Sequence, residues 1–389
     1  MTDHRYFTTL AVALRQAGCA QPALVIDLDR LDANIDRVKA GLVPGRPIRI
    51  VDKSLPILPL IGHLMQRLGT TRIMSFHLPI AQAVLEAFAD ADILFGKPMP
   101  AAGLRQALSV WTEAQRADFC RRAVLLVDSA ERLAAYAGIA AELGLSLRFA
   151  AEIDVGMHRG GFSSPAALAE ALQSVDGQPH IRCVGVMGYE AHLPKIPGFA
   201  GGPSGEQAKV TARFAAFVEA LPADCRTILN TGGSNTALGY GAETSANEFS
   251  MGSGFLVPTD FEGGALAALS PAVFIATPVL KIVDARLPGP DILTRIMQWL
   301  GKLPRRGCFT YGGKWMARPV FPTDLRENAL WGSSSNQQFF GLSDDNPLKA
   351  DDFVFLRPTQ SEAVLQQFGP VLLYRDGKII DRWQPLPTG

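Results

Sequence analysis

Eight times between Ile48 and Gly252 a short apolar run gives way to a stretch patterned like a helix. The runs cover residues 48–51, 72–75, 92–95, 123–128, 147–153, 182–188, 226–230 and 248–252, with helix-length stretches such as 80–89, 131–143, 165–174 and 207–220 between them. Strands alternating with helices build parallel sheets through βαβ units. Eight such steps favour a closed (β/α)8 TIM-type barrel, an α/β architecture, over an open sheet. An earlier strand at 23–26, with a helix at 29–40, falls outside the eight.

From about Pro271 the texture changes to Pro, Gly and alternating apolar residues. "LLYRDGKIIDRW" (372–383) reads as a hairpin turning at Asp376-Gly377. We therefore assign 22–270 to the barrel and 271–389, together with 1–21, to a mostly antiparallel β-domain. The segment "GFAGGPSG" (198–205) reads as a mobile loop within the barrel part.

The bulk numbers exclude several classes. Apolar residues at 48% supply ample core material for 389 residues, and Lys+Arg balance Asp+Glu at 37 each. No global field draws the chain to nucleic acid or to anionic lipid. The five cysteines (Cys19, Cys120, Cys183, Cys225 and Cys308) are scattered, as reduced cytosolic thiols are. No basic-then-apolar leader opens the sequence, and the apolar stretches are strand-length or broken by proline. A cytoplasmic protein without membrane spans is the expectation.

In such a barrel, functional groups gather where strands end, because eight loops converge there on one mouth. Lys53 follows the first run, in "RIVDKS"; "DVGMHRGGF" follows the fifth, "GYEAH" the sixth, "NTGGSNT" the seventh and "MGSG" the eighth. A lysine at such a corner is either solvated decoration or an amine put there to react. Each glycine-rich turn alone is ordinary turn geometry. Paired after strands seven and eight, they offer bare amides and hydroxyls where barrels bind phosphate. A phosphate cup facing a lysine points to pyridoxal 5'-phosphate held as a Schiff base, which needs an amine buried enough to lose its proton. Arg159 supplies charge nearby. His192, the last of six histidines, is the natural acid/base group, although a lone histidine is as often structural.

Taken together, "PALVIDLDRLDANIDRV", "RIVDKS", "EIDVGMHRGGF", "GVMGYEAH", "NTGGSNT", "NEFSMGSG" and "RPTQSE" resemble, in order, segments of fold-type III pyridoxal phosphate enzymes. Within that alanine-racemase-like class the closest resemblance is to the D-threonine aldolase and D-serine dehydratase group. The match runs over nearly the whole chain from Pro22. The resemblance implies that Lys53 holds the cofactor aldehyde and acts as base at Cα. It implies that Arg159 meets the phenolic oxygen or a substrate carboxylate, and that Tyr189 lies against the ring. Thr231, Gly232, Gly233, Gly252 and Ser253 would cradle the phosphate, with Ser234 and Asn235 close by.

The chain departs from this group in its tail. There the group holds a divalent metal through a His-x-Cys or His-x-Asp pair, and here Gln360 and Glu362 stand instead. After "RIVDK" the group's Thr-His pair is replaced by Ser54-Leu55. We read the metal as absent, against an alternative carboxylate site built from Glu362 and Asp345. Glu362 then becomes a candidate acid/base group beside His192. The expected function is a lyase acting on a D-configured β-hydroxy amino acid, by aldol cleavage or dehydration. The rivals are an amino-acid racemase or epimerase, which needs no metal, and a pyridoxal phosphate carrier without turnover. Carriers of this class are a barrel alone, so the long tail argues against the last. By analogy with the group, a homodimer is expected.

Overall fold

The computed structural model describes residues 2–387, so Met1 and the last two residues of the 271–389 segment lie outside the description. The described residues divide into two compact units, 2–34, 256–262 and 269–385 forming one and 35–255, 263–268 and 386–387 the other.

In the first unit, β1 (Ala23–Asp27) lies inside a mostly antiparallel sheet. The other strands are β10 (Val273–Asp284), β11 (Arg306–Tyr311), β12 (Ala317–Phe321), β13 (Arg326–Glu327), β14 (Gln337–Leu342), β15 (Phe353–Pro358), β16 (Val371–Arg375) and β17 (Lys378–Trp383). β1 pairs with β16 in parallel. The hairpin turn forms as read: Asp376 and Gly377 both take positive φ, 50° and 76°, between β16 and β17. One feature of this tail was not legible, the helix Asp291–Trp299.

The second unit is a closed barrel of eight parallel strands: β2 (Ile48–Val51), β3 (Arg72–Ser75), β4 (Asp92–Phe95), β5 (Ala123–Val127), β6 (Leu147–Ile153), β7 (Ile181–Gly188), β8 (Ile228–Thr231) and β9 (Glu248–Met251). Each matches a run read from the sequence to within two residues at either end. The segment 198–205 differs from expectation. It forms a 3-10 turn, Gly198–Ala200, and then begins the helix Gly202–Ala220.

Inside the barrel, Arg49 and Glu248 are fully buried and paired, Nε to Oε1 at 2.5 Å and Nη2 to Oε2 at 2.9 Å. Arg72 and Asn230 donate to the same carboxylate at 2.7 and 2.9 Å, and Arg49 also donates to the Ile73 carbonyl at 3.1 Å. This cluster braces β2, β3, β8 and β9, three of which end in the lysine turn and the two glycine turns. Arg49, set against burial, holds the Glu248 carboxyl below its usual range.

Candidate active site

Lys53 stands in the 3-10 turn Asp52–Ser54 that ends β2. The sequence reading made it a buried amine; the structure leaves it half-buried, its Nζ 4.7 Å from the centroid of the Phe76 ring. A partly open amine is one that an incoming aldehyde can reach. Its neighbour Asp52 is 0% exposed, and neither carboxylate oxygen completes a hydrogen bond of good geometry. Burial pushes this carboxyl up to about 7, against the opposing pull of the Ser75 hydroxyl, the Lys53 and Phe76 amides and the Lys53 charge.

Gly252 follows β9. A Cβ there would lie 2.9 Å from the Cβ atoms of both Val51 and Ser54, so the β9 end stands against the lysine turn only because it is bare backbone. The amides of Gly252 and Gly254 both donate to Ser234 Oγ, at 3.4 and 2.9 Å. Gly233 backs onto Tyr189, whose Cε2 would be 2.7 Å from an added Cβ. The Arg159 guanidinium carbon is 5.1 Å from the Tyr189 ring centroid, and its Nη2 is 3.7 Å from Glu152 Oε1 on β6. Burial raises the Glu152 carboxyl even with Arg159 beside it. Contacts therefore run unbroken from the lysine turn through Gly252, Ser234, Gly233 and Tyr189 to Arg159. They cross five adjacent strand ends in barrel order.

The β8 turn is held from within. Fully buried Glu190 accepts from Thr231 Oγ1 at 3.1 Å, from the Gly232 amide at 3.3 Å and from the Thr236 hydroxyl. The Gly233 amide donates to Thr236 Oγ1 at 2.8 Å, and Thr231 also meets the Tyr240 hydroxyl at 3.0 Å. The Thr231 hydroxyl and the Gly232 and Gly233 amides are thus committed inside the turn. The Gly252 and Gly254 amides are likewise given to Ser234 Oγ, and the Ser234 hydroxyl hydrogen, which these bonds do not use, is the donor placed for an anion. Ser253 is buried beside them in sequence, and Asn235 is exposed. Glu190 was missed by sequence reading although it lies inside "GYEAH"; an acid between Tyr189 and His192 was the available signal.

His192 opens the 3-10 turn Leu193–Lys195, its side chain 18% exposed. Its Nε2 is 3.7 Å from Glu206 Oε1, and neither ring nitrogen completes a hydrogen bond. The Lys209 ammonium, bonded to Glu206 at 2.9 Å, keeps that carboxyl low.

In the β unit, Glu362 is half-buried and its Oε2 accepts from Ser361 Oγ at 3.4 Å. The Gln360 amide donates to Asp260 Oδ2 at 3.0 Å. Asp345 lines a groove with Asp324 and Asp352 whose lining does not include Glu362. Among the described residues no group of three or more His, Cys, Asp or Glu side chains is placed to hold a metal ion.

The barrel residues do fit pyridoxal phosphate: a reachable amine, an aromatic face, a guanidinium and a hydroxyl ringed by amides, brought together by glycines whose replacement would fill the space.

The family described as alanine racemase, N-terminal domain, matches residues 26–257. No curated protein matches the sequence. Among solved structures, D-threo-3-hydroxyaspartate dehydratase from Delftia sp. HT23 is 20% identical with a TM-score of 0.70, over 95% of this chain and 98% of that one. D-threonine aldolase from Filomicrobium marinum is 16% identical with a TM-score of 0.69, over 94% and 96%. Alanine racemase from Bacillus anthracis is 15% identical with a TM-score of 0.67, over 94% and 98%. At these identities the structural likeness is one of fold, and the family match carries the assignment. The chain belongs to the alanine racemase N-terminal-domain family, the barrel family of fold-type III pyridoxal phosphate enzymes.

Proposed function

We propose that the protein is a lyase acting on a D-configured β-hydroxy amino acid, by aldol cleavage or dehydration. The observation that carries this reading is the run of contacts from the Lys53 turn to Arg159 around one barrel mouth, in a chain that also has the β unit. Its support among relatives is that full-length structural neighbours include a hydroxyaspartate dehydratase and a D-threonine aldolase.

Pyridoxal phosphate, when bound, supplies an aldehyde that captures an amine and a protonated ring that withdraws electron density from the bonds at Cα. In this reading Lys53 Nζ holds that aldehyde at rest and moves the proton at Cα during turnover. Tyr189 offers its ring as a flat support. Arg159 donates to the phenolic oxygen or to the substrate carboxylate. Ser234 gives its hydroxyl hydrogen to the phosphate, with Gly252, Ser253 and Gly254 around it, while Glu190 keeps the β8 turn, with Thr231, Gly232 and Gly233, in shape for them. His192 passes a proton to or from the β-hydroxyl, its ring nitrogens having no competing hydrogen bond. Glu362 is the rival for that task, and comparing His192→Asn with Glu362→Gln separates the two. Gln360 is a poor metal ligand, and none of the proposed steps uses a metal. The protein is proposed to act in the cytoplasm as a homodimer; a monomer in sedimentation velocity at micromolar concentration would refute the dimer.

A panel of D- and L-amino acids, with and without chelator, tests the reading. Carbonyl product from D-β-hydroxy amino acids, insensitive to chelator, is the expected result. Chelator-sensitive turnover overturns the metal-free part. A second reading, racemisation, draws on the likeness to alanine racemases. It predicts loss of optical activity with solvent deuterium at Cα and no carbonyl product.

A further inference from the structure

The helix Asp291–Trp299 in the β unit turns its apolar side outward. Ile292, Leu293, Ile296 and Trp299, with Leu300 just past the helix end, recur at the spacing of one helical face, and all five are exposed. The opposite side is polar and anchored. Thr294 Oγ1 accepts from the Leu287 amide at 3.0 Å, and the Gln298 side chain donates to the Ala285 carbonyl at 3.0 Å. Met297 packs on the small core of Ala285, Leu303 and Phe339. The helix is therefore fastened with its apolar face toward solvent.

We propose that this face is a self-association surface, on which a second copy of the chain lays the same helix antiparallel about a twofold axis at Ile296. The face is its own complement. Ile292 and Leu293 stand four and three residues before Ile296, and Trp299 and Leu300 stand three and four after it. An antiparallel pair thus sets Ile292 against the partner's Leu300, Leu293 against the partner's Trp299, and Ile296 against itself. The charges agree. Asp291 opens the helix and Lys302 lies just beyond its end, both exposed, so antiparallel pairing brings each acid to the partner's base and opposes the helix dipoles. The extent agrees as well. The five apolar residues expose roughly 600 Å², at the upper limit of a monomer's largest patch and near the ~800 Å² each partner gives in a standard interface. A membrane surface would want a basic rim, whereas Asp291 and Arg295 balance within the helix.

This surface deepens the homodimer reading above and rests on it. The test is sedimentation velocity of the full chain loaded with pyridoxal phosphate, at micromolar concentration. Wild type should be a dimer, and Ile296→Lys should weaken it at least about a hundredfold, to monomer, with an unchanged circular dichroism spectrum. Asp291→Lys should weaken the dimer about tenfold, and adding Lys302→Asp should restore it. That exchange decides the matter even where Ile296→Lys fails to fold, and no restoration overturns the antiparallel pairing. A monomeric wild type ends both this surface and the homodimer. A dimer that Ile296→Lys leaves intact ends this surface alone. Wild type that instead co-sediments with phosphatidylglycerol vesicles, and loses this in Ile296→Lys, gives the face to a membrane and overturns the proposal.

Discussion

At the residue scale the tightest constraint is Gly252. An alanine there must push its Cβ into Val51 and Ser54, both at 2.9 Å, and into the Val51 carbonyl oxygen at 3.0 Å. Backbone cannot yield as a flexible side chain does, so overpacking of about 1–3 kcal/mol is expected. Gly252→Ala should lower the melting temperature by several degrees and weaken pyridoxal phosphate binding at least tenfold. An unchanged melting temperature and affinity would show that the close approach is not needed. Asp52 makes a second prediction at this scale, through pH. Its carboxyl titrates near 7 in the folded chain against 3.8 ordinarily, so the folded state favours the neutral form. The stability this confers is complete below about pH 4 and drains away as pH rises through 7, on the order of 4 kcal/mol over the window. Asp52→Asn should abolish that part of the slope in pH-resolved thermal melts and be the more stable protein at pH 8. An identical slope in both proteins contradicts the burial argument. These residues also show what a sequence conceals. The places of Lys53 and Arg159 after strand ends were legible because the apolar runs before them were. The burial of Asp52 was not, since an acid beside a lysine in a turn reads as a solvated pair.

At the element scale the barrel was legible nearly strand by strand. Runs such as 92–95 and 147–153 are bounded by helical patterns and have no competing period. The tail was harder. In the helix Asp291–Trp299 the apolar Ile292, Ile296 and Trp299 recur at helical spacing yet are 59%, 43% and 84% exposed, while the buried side is Thr294 with Met297 half-buried. Its pattern is inverted relative to the usual rule, and prolines precede it. The loop expected at 198–205 became a helix start for a related reason. Gly201 and Gly202 take positive φ, 98° and 63°, at the point where the helix begins, so glycine here marks an N-terminus rather than a disordered stretch. The Arg49–Glu248 brace carries the prediction for this scale. Glu248→Gln takes the nearer counter-charge from a fully buried guanidinium and leaves it only Asp92, at 3.4 Å, a loss of about 3 kcal/mol. Because Arg49 depresses the Glu248 carboxyl, that stability is present above pH 4.5 and fades as pH falls below it. Chemical denaturation should show a large gap between the proteins at pH 7 that narrows toward pH 3. A constant gap would mean the loss is one of packing, not charge.

At the scale of the whole molecule, a barrel presents an amine, an aromatic ring, a guanidinium and a hydroxyl, and the β unit carries Gln360 and Glu362 where the resemblance would set metal ligands. The family match implies the class of cofactor, and in the proposed reading the reaction is decided by groups such as His192 and Glu362 that the fold does not specify. The central claim is that Lys53 is the lysine on which everything else turns. Borohydride reduction of the protein purified with pyridoxal phosphate, followed by peptide mapping, tests it most directly. The account predicts a single phosphopyridoxyl group on Lys53 and none in Lys53→Ala. Cofactor fixed to another lysine, or retained undiminished by Lys53→Ala, would contradict it.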